Sequence, residues 1–171
     1  ESFSPGVVER LGLSYEDLEK INPRLVFTSI SNFGQFGPYR DYKASELIIY
    51  GMGGAMNEEG LPDREPLKKA TGTPVLFSTG NMAALAVMIA LYQAKVEGIG
   101  QHIDFSLMEA QMESVDRRMS CLLAYAYNNE ITNRSDVRAR PVYPVGTYPC
   151  KDGWWGMNAM GVQWHTVGKM M

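Results

Sequence analysis

"RLVFTSISNFGQFGPYRDY", residues 24–42, changes character half-way along. Its opening, Arg24 to Ser31, is rich in β-branched and aromatic side chains and reads as a buried strand. The remainder carries Gly34, Gly37 and Pro38 and reads as a loop, because glycine and proline favour backbone angles that other residues resist. Upstream, "LSYEDLEKINP" (13–23) predicts a short helix: Ser14 caps it, Asp17 completes a capping box and Pro23 follows its end. Downstream, a helix is expected from Ser45 to Met52, closed by Gly53 and Gly54, and residues 57–75, with Pro62, Pro66 and Pro74, read as a long surface loop. Ser78 to Val96 predicts a helix apolar nearly all round. Its Ala83, Ala84, Ala86 and Ala90 are small enough to pack closely on a sheet, and Gly98 is its stop. "QHIDFSL" (101–107) alternates, with Ile103 and Phe105 on one face and His102 and Asp104 on the other. Ser106 and Glu109 form a second capping box, opening a helix expected to reach about Asn128. Strand–helix alternation of this kind predicts an α/β layer architecture.

After Arg140 the texture shifts. "VGTYPCKDGWWGMNA" is two strand-like runs about Asp152-Gly153, a hairpin signal. The division expected is therefore a larger α/β part over residues 1–130, a linker over 131–142 and a separate part over 143–171. The 171 residues can bury a sizeable core. A net charge of −3 argues against a general nucleic-acid binder, although a local basic pocket for a phosphorylated ligand is compatible with it. Cys121 and Cys150 have neither metal-like nor CxxC spacing. "MAALAVMIALY" (82–92) reads as too short for a bilayer span, and no signal peptide is visible, so a cytoplasmic protein without a membrane partner is expected. The chain opens without Met and stops in "QWHTVGKMM", which reads as an unfinished helix; a piece of a longer protein is expected.

The residues alone offer little chemistry. There is no GxSxG elbow, and the two histidines, His102 and His165, lack the clustered carboxylates of a metal site; no metal is expected. "GMGGAM" (51–56) follows a helix and lacks a third spaced glycine, so it reads as helix termination rather than a dinucleotide loop, and a nucleotide-dependent oxidoreductase has no support beyond fold analogy. Arg134, Arg138 and Arg140 read as a solvated linker and Trp154-Trp155 as hairpin packing. Glu46 stands at the head of an apolar helix, where the macrodipole favours an acid. With Lys43 just before it, composition and spacing make Glu46 structural.

The order of motifs says more. "SFSPGVVERLGLSYEDLEKINPRLVFTSISNFGQFGPYRDY", "SELIIYGMGG", "GQHIDFSLMEA" and "GTYPCKDGWW" together resemble the family III CoA-transferases, the CaiB/BaiF family of formyl-CoA and carnitine CoA-transferases and α-methylacyl-CoA racemase. The resemblance implies a Rossmann-like large domain, whose C-terminal part would be residues 1–130, a small α/β domain, whose start would be residues 143–171, and an interlocked homodimer. It implies acyl-CoA and a small carboxylic acid as substrates. It also implies that Phe3, Arg10, Leu11 and Lys43 contact CoA, with Ser2 in place of the usual Asn, and that Glu46 is an acid beside the reaction centre. The family's nucleophile is an aspartate in a D-x-x-x-G pattern. Counting back from Gly80, that place holds Leu76. Glu46 is then the candidate catalytic carboxylate. The alternatives are a non-catalytic CoA-thioester binder or assembly subunit and an acyl-CoA racemase; the last needs a histidine where Ser45 stands.

Overall fold

The computed structural model describes residues 1–67, 72–112, 118–131, 134, 145–158 and 164–169. These comprise α1 (Val7–Arg10), α2 (Tyr15–Ile21), β1 (Val26–Ser31), α3 (Glu46–Met52), α4 (Ala55–Glu58), α5 (Pro74–Glu97), β2 (Gln101–Ser106), α6 (Leu107–Met112), α7 (Arg118–Asn128), β3 (Val145–Cys150), β4 (Gly153–Asn158) and α8 (Trp164–Val167). The chain forms two compact units. One comprises Glu1–Met56 with Lys68–Ile131, the other Asn57–Leu67 with Thr132–Met171. The linker expected at 131–142 lies almost entirely outside the described residues, as do Arg138 and Arg140.

In the first unit, β1 and β2 pair in parallel, Val26 opposite Gln101 and Ser31 opposite Ser106. Pleating puts Phe27, His102, Ser29 and Asp104 on one face and Thr28, Ile103, Ile30 and Phe105 on the other. Helix α5 covers the second face; Gln101 Nε2 donates to Gln93 Oε1 at 3.0 Å. Its buried residues include Thr79, Ala83, Ala90 and Ala94, so the helix approaches the strands with its smallest side chains. The opposite side of α5 exposes Leu85, Met88, Ile89 and Tyr92. On the other sheet face, Tyr15 of α2 stacks on His102 at 5.3 Å, and Phe27 meets the same imidazole edge-on. His102 is exposed to solvent, as its alternating position predicts, yet it is not idle: its Nε2 shares a 2.9 Å hydrogen bond with Ser29 Oγ.

Helix α2 starts as its sequence predicts. Asp17 N–H donates to Ser14 Oγ at 3.3 Å, and the Ser14 hydroxyl donates to the Asp17 carboxylate. Lys20 bonds that carboxylate from one turn on, which together with Ser14 holds the Asp17 carboxyl below its usual range.

The expected loop at 57–75 needs correction at both ends. Ala55–Glu58 forms a helical turn, and α5 begins at Pro74 rather than Ser78. Proline suits a first helical turn because its missing N–H would lack an intrahelical partner there anyway. The reading of 82–92 as too short for a bilayer also changes. Among the described residues α5 is the one helix long and apolar enough to cross a membrane, by length and composition, with 24 residues and a mean hydropathy of 1.7 over its most apolar window. Here its alanine face lies on the sheet. Gly98 ends the helix as expected. The single helix expected from Ser106 to Asn128 appears as α6 and α7, with residues 113–117 outside the described set.

The second unit holds the expected hairpin. Strands β3 and β4 pair antiparallel, Cys150 opposite Gly153 and Tyr148 opposite Trp155. Arg134 donates to the carbonyls of Leu61 and Arg64 at 3.3 and 3.2 Å, so it ties the 57–67 segment to this unit rather than standing as a solvated linker residue.

Gly100 is the tightest point of the first unit. A Cβ built there would fall inside the backbone of Arg24 and Leu25, where β2 passes the start of β1. Gly100 N–H donates to the Pro23 carbonyl at 2.8 Å, fixing that approach. Gly100→Ala is expected to destabilise the full-length protein by about 1–3 kcal/mol, the usual cost of overpacking. Denaturant unfolding measures this, and an unchanged midpoint would refute the close approach.

Candidate functional site

A cleft of about 700 Å³ opens at the carboxyl end of β1, where Ile30, Ser31 and Asn32 form part of its wall. Ligands of parallel α/β sheets bind at that end of the strands. The segment before α1 reaches it because the Ile30 N–H donates to the Glu1 carbonyl at 3.0 Å, which lays residues 1–5 along β1. Ser2, Phe3, Ser4 and Pro5 thereby enter the lining. A second wall comes from the end of the 32–44 loop. Phe33, Tyr39 and Tyr42 hold that loop together, with ring centroids 5.5 to 6.5 Å apart. Beyond this cluster Arg40, Asp41, Tyr42, Lys43 and Ala44 line the cleft. The first turns of α5 close it with Leu76, Thr79, Gly80 and Ala83.

Of the residues singled out in the sequence, Phe3, Lys43 and Leu76 thus meet in one cleft. Phe3 and Leu76 are both about half exposed, at 54% and 50%. Leu11 is 60% exposed and lies outside the lining. Arg10, on α1, also lies outside it, but its Nη1 comes within 3.4 Å of where a Gly6 side chain would begin.

Glu46 is placed differently. It is the first residue of α3, outside the cleft lining, and its Oε1 accepts the Val75 N–H at 3.3 Å. Thr73, the residue that precedes α5, makes no side-chain cap. Val75 is 1% exposed, so its N–H needs a protein partner, and Glu46 supplies it from another helix. The carboxylate therefore lies in the first turn of two helices, where both dipoles favour negative charge. Its bond fixes the turn that carries Leu76. Asp41 is the one acid among the described cleft residues, with its side chain 80% exposed. Sequence reasoning passed over Arg40, Asp41 and Thr79. Arg40 and Asp41 sit within the quoted 24–42 stretch, but nothing in their spacing distinguishes them from ordinary loop charges. Among the described residues no cluster of His, Cys, Asp or Glu is arranged to hold a metal.

The model of CoA-transferase family III matches residues 1–169. The chain belongs to that family. It is 36% identical over 158 residues to a succinate–glutarate CoA-transferase of Agrobacterium fabrum, which covers 90% of this chain and 37% of that protein. It is 41% identical over 111 residues to a formyl-CoA:oxalate CoA-transferase of Streptomyces avermitilis, covering 64% of this chain and 26% of the relative. A solved CaiB/BaiF family protein from Brucella suis superposes with a TM-score of 0.80 at 30% identity, over 99% of this chain and 44% of its own. The chain thus spans well under half the length of these family III proteins. The mixed α/β architecture expected from the sequence is the fold of this family.

Glu46→Ala would leave the buried Val75 N–H without its partner. A loss of about 1–3 kcal/mol in the full-length protein is expected, the cost of an unsatisfied buried donor, with faster hydrogen exchange at the start of α5. Glu46→Gln keeps an acceptor oxygen and should lose less. Equal stability of wild type and Glu46→Ala would remove the capping role.

Proposed function

We propose that the whole protein is an acyl-CoA:carboxylate CoA-transferase, a cytoplasmic homodimer that moves CoA from an acyl-CoA to a small carboxylic acid. The observation that carries this reading is a family match running through residues 1–169 that coincides with a cleft gathering Phe3, Lys43 and the first turns of α5. A phosphorylated thioester needs apolar wall and positive charge together, and this cleft offers both, with Arg40 and Lys43 beside Phe3, Leu76 and Ala83. The chemistry of such a transfer is covalent. A carboxylate attacks the acyl carbonyl and expels CoA thiolate, giving a mixed anhydride. The thiolate then attacks the enzyme's carbonyl, releasing the first acid and leaving an enzyme thioester. An incoming carboxylate reverses both steps and leaves with CoA. Splitting the exchange this way replaces one hard step by easier ones.

The carboxylate is the open point. Counting back from Gly80 puts Leu76 where the resemblance expects the aspartate, and Leu76 lines the cleft; a leucine cannot supply the anhydride. Glu46 is the candidate that the resemblance offers; it lies outside the cleft lining and reaches the same turn through Val75, while Asp41 is the acid within the lining. A second reading, a CoA-thioester binder without transfer chemistry, is favoured by that same leucine.

The two readings separate in one experiment. Full-length protein is incubated with an acyl-CoA, trapped with hydroxylamine and digested for mass spectrometry. An adduct on Glu46 that disappears in Glu46→Gln supports transfer. Bound but unreacted acyl-CoA supports the binder. In Leu76→Asp a carboxylate enters the cleft wall, and transfer should appear or rise by at least about a hundredfold, the scale on which reacting-group placement acts. An active wild type whose rate survives Glu46→Gln would refute Glu46 as nucleophile.

A further inference from the structure

Two guanidinium groups from different parts of the first unit converge on one backbone position. A Cβ placed on Gly6 would lie 3.4 Å from Arg10 Nη1 and 3.4 Å from Arg40 Nη2. Gly6 has φ 81°, a conformation that favours glycine, and so leaves the space between the two arginines open. Like charges at this range repel unless an anion lies between them or nearby. Protein acids do not meet that need. Among the described residues no carboxylate pairs with Arg10, and Arg40 meets only Asp41, at 3.9 Å from Nη1 and with the aspartate side chain largely in solvent. Moreover, Arg40 Nε is buried and has no hydrogen-bond partner. A buried charged donor left unsatisfied is costly, and such atoms are rare without a ligand to explain them. Arg40 also lines the cleft, and Arg10, which does not, approaches the same Gly6 position as Arg40.

The geometry points to Arg40 as a second anion-binding residue that acts with Arg10 across Gly6 to hold a phosphate group of the CoA thioester. This rests on the transferase reading for the identity of the ligand. Two planar guanidinium forks offer several donors to a tetrahedral anion. A pair that shares Arg40 with the cleft lining suits a phosphate carried by a substrate whose thioester lies inside the cleft. Nothing in the sequence marks Arg40, because its partner Arg10 lies far off in the chain and only the N-terminal segment's placement along β1 brings them together.

The test uses full-length protein and calorimetric titration with CoA, 3′-dephospho-CoA and inorganic pyrophosphate. Arg40→Ala should weaken CoA binding about tenfold to a hundredfold, the range of a lost charge-assisted hydrogen bond. Arg40→Lys should recover part of it. The double variant with Arg10→Ala should lose less than the two single losses combined, as expected of residues sharing one ligand. A loss seen with CoA but not with 3′-dephospho-CoA assigns the pair to the phosphate monoester. A loss seen with both assigns it to the pyrophosphate bridge. Pyrophosphate alone gives the arm that does not depend on the transferase reading: binding to wild type that Arg40→Ala abolishes supports the site even in a protein that transfers nothing. Thermal unfolding of each variant separates lost folding from lost binding. Unchanged affinity of Arg40→Ala for CoA and for pyrophosphate, with a native unfolding temperature, overturns the proposal.

Discussion

The close approach of α5 to the parallel pair β1–β2 is the contact on which the first unit depends. Thr79, Ala83, Ala90 and Ala94 are buried along that helix, and larger residues there would hold it away from the strands. The approach sets where the first turns of α5 stand relative to Ile30 and Ser31, and so creates one wall of the cleft. The remaining core follows from the same placement. Val75, at the start of α5, joins Phe33, Ile49, Tyr50 and Ala55 in one buried cluster, which roots α3 and the 32–44 loop against the helix.

Local signals made much of this legible. Ser14 and Asp17 mark the start of α2 through a cap that needs only neighbours in the chain. The alternation of residues 101–106 separates the two faces of β2. The Asp152-Gly153 pair sits at the turn of the β3–β4 hairpin. The start of α5 is hidden in the sequence because Pro74 reads as a loop residue, whereas it occupies the first helical turn. What sequence could not reveal are pairings across long separations. Glu46 looks like an acid serving its own helix, and only the folded chain shows it accepting from Val75 at the head of another. Arg10 was placed by family resemblance, while Arg40 had no local mark at all. Arg134 read as a solvated charge because its two carbonyl partners lie about seventy residues earlier.

Two carboxylates illustrate how differently the same chemistry is used. Asp17 is exposed and bonds Lys20 and Ser14 around one helix start, a local arrangement. Glu46 joins two helices and fixes a turn that faces the cleft. The second arrangement links a residue outside the lining to the shape of the lining itself.

The parallel pairing of β1 with β2 also has a consequence for how the chain reaches this structure. Ser29 and His102, bonded across the sheet, are 73 residues apart in sequence. During synthesis β1 emerges well before β2, and this pairing waits until α3 and α5 have been made. Closing so long a loop costs entropy before any strand contact offsets it, which makes this a slow-folding topology. The apolar residues of α5 appear before β2, one of the two strands on which the helix packs. Formation of this strand pair therefore resembles an assembly step that is held until its second member arrives, and the interval is one in which incompletely packed helix surface is open to aggregation or to chaperones.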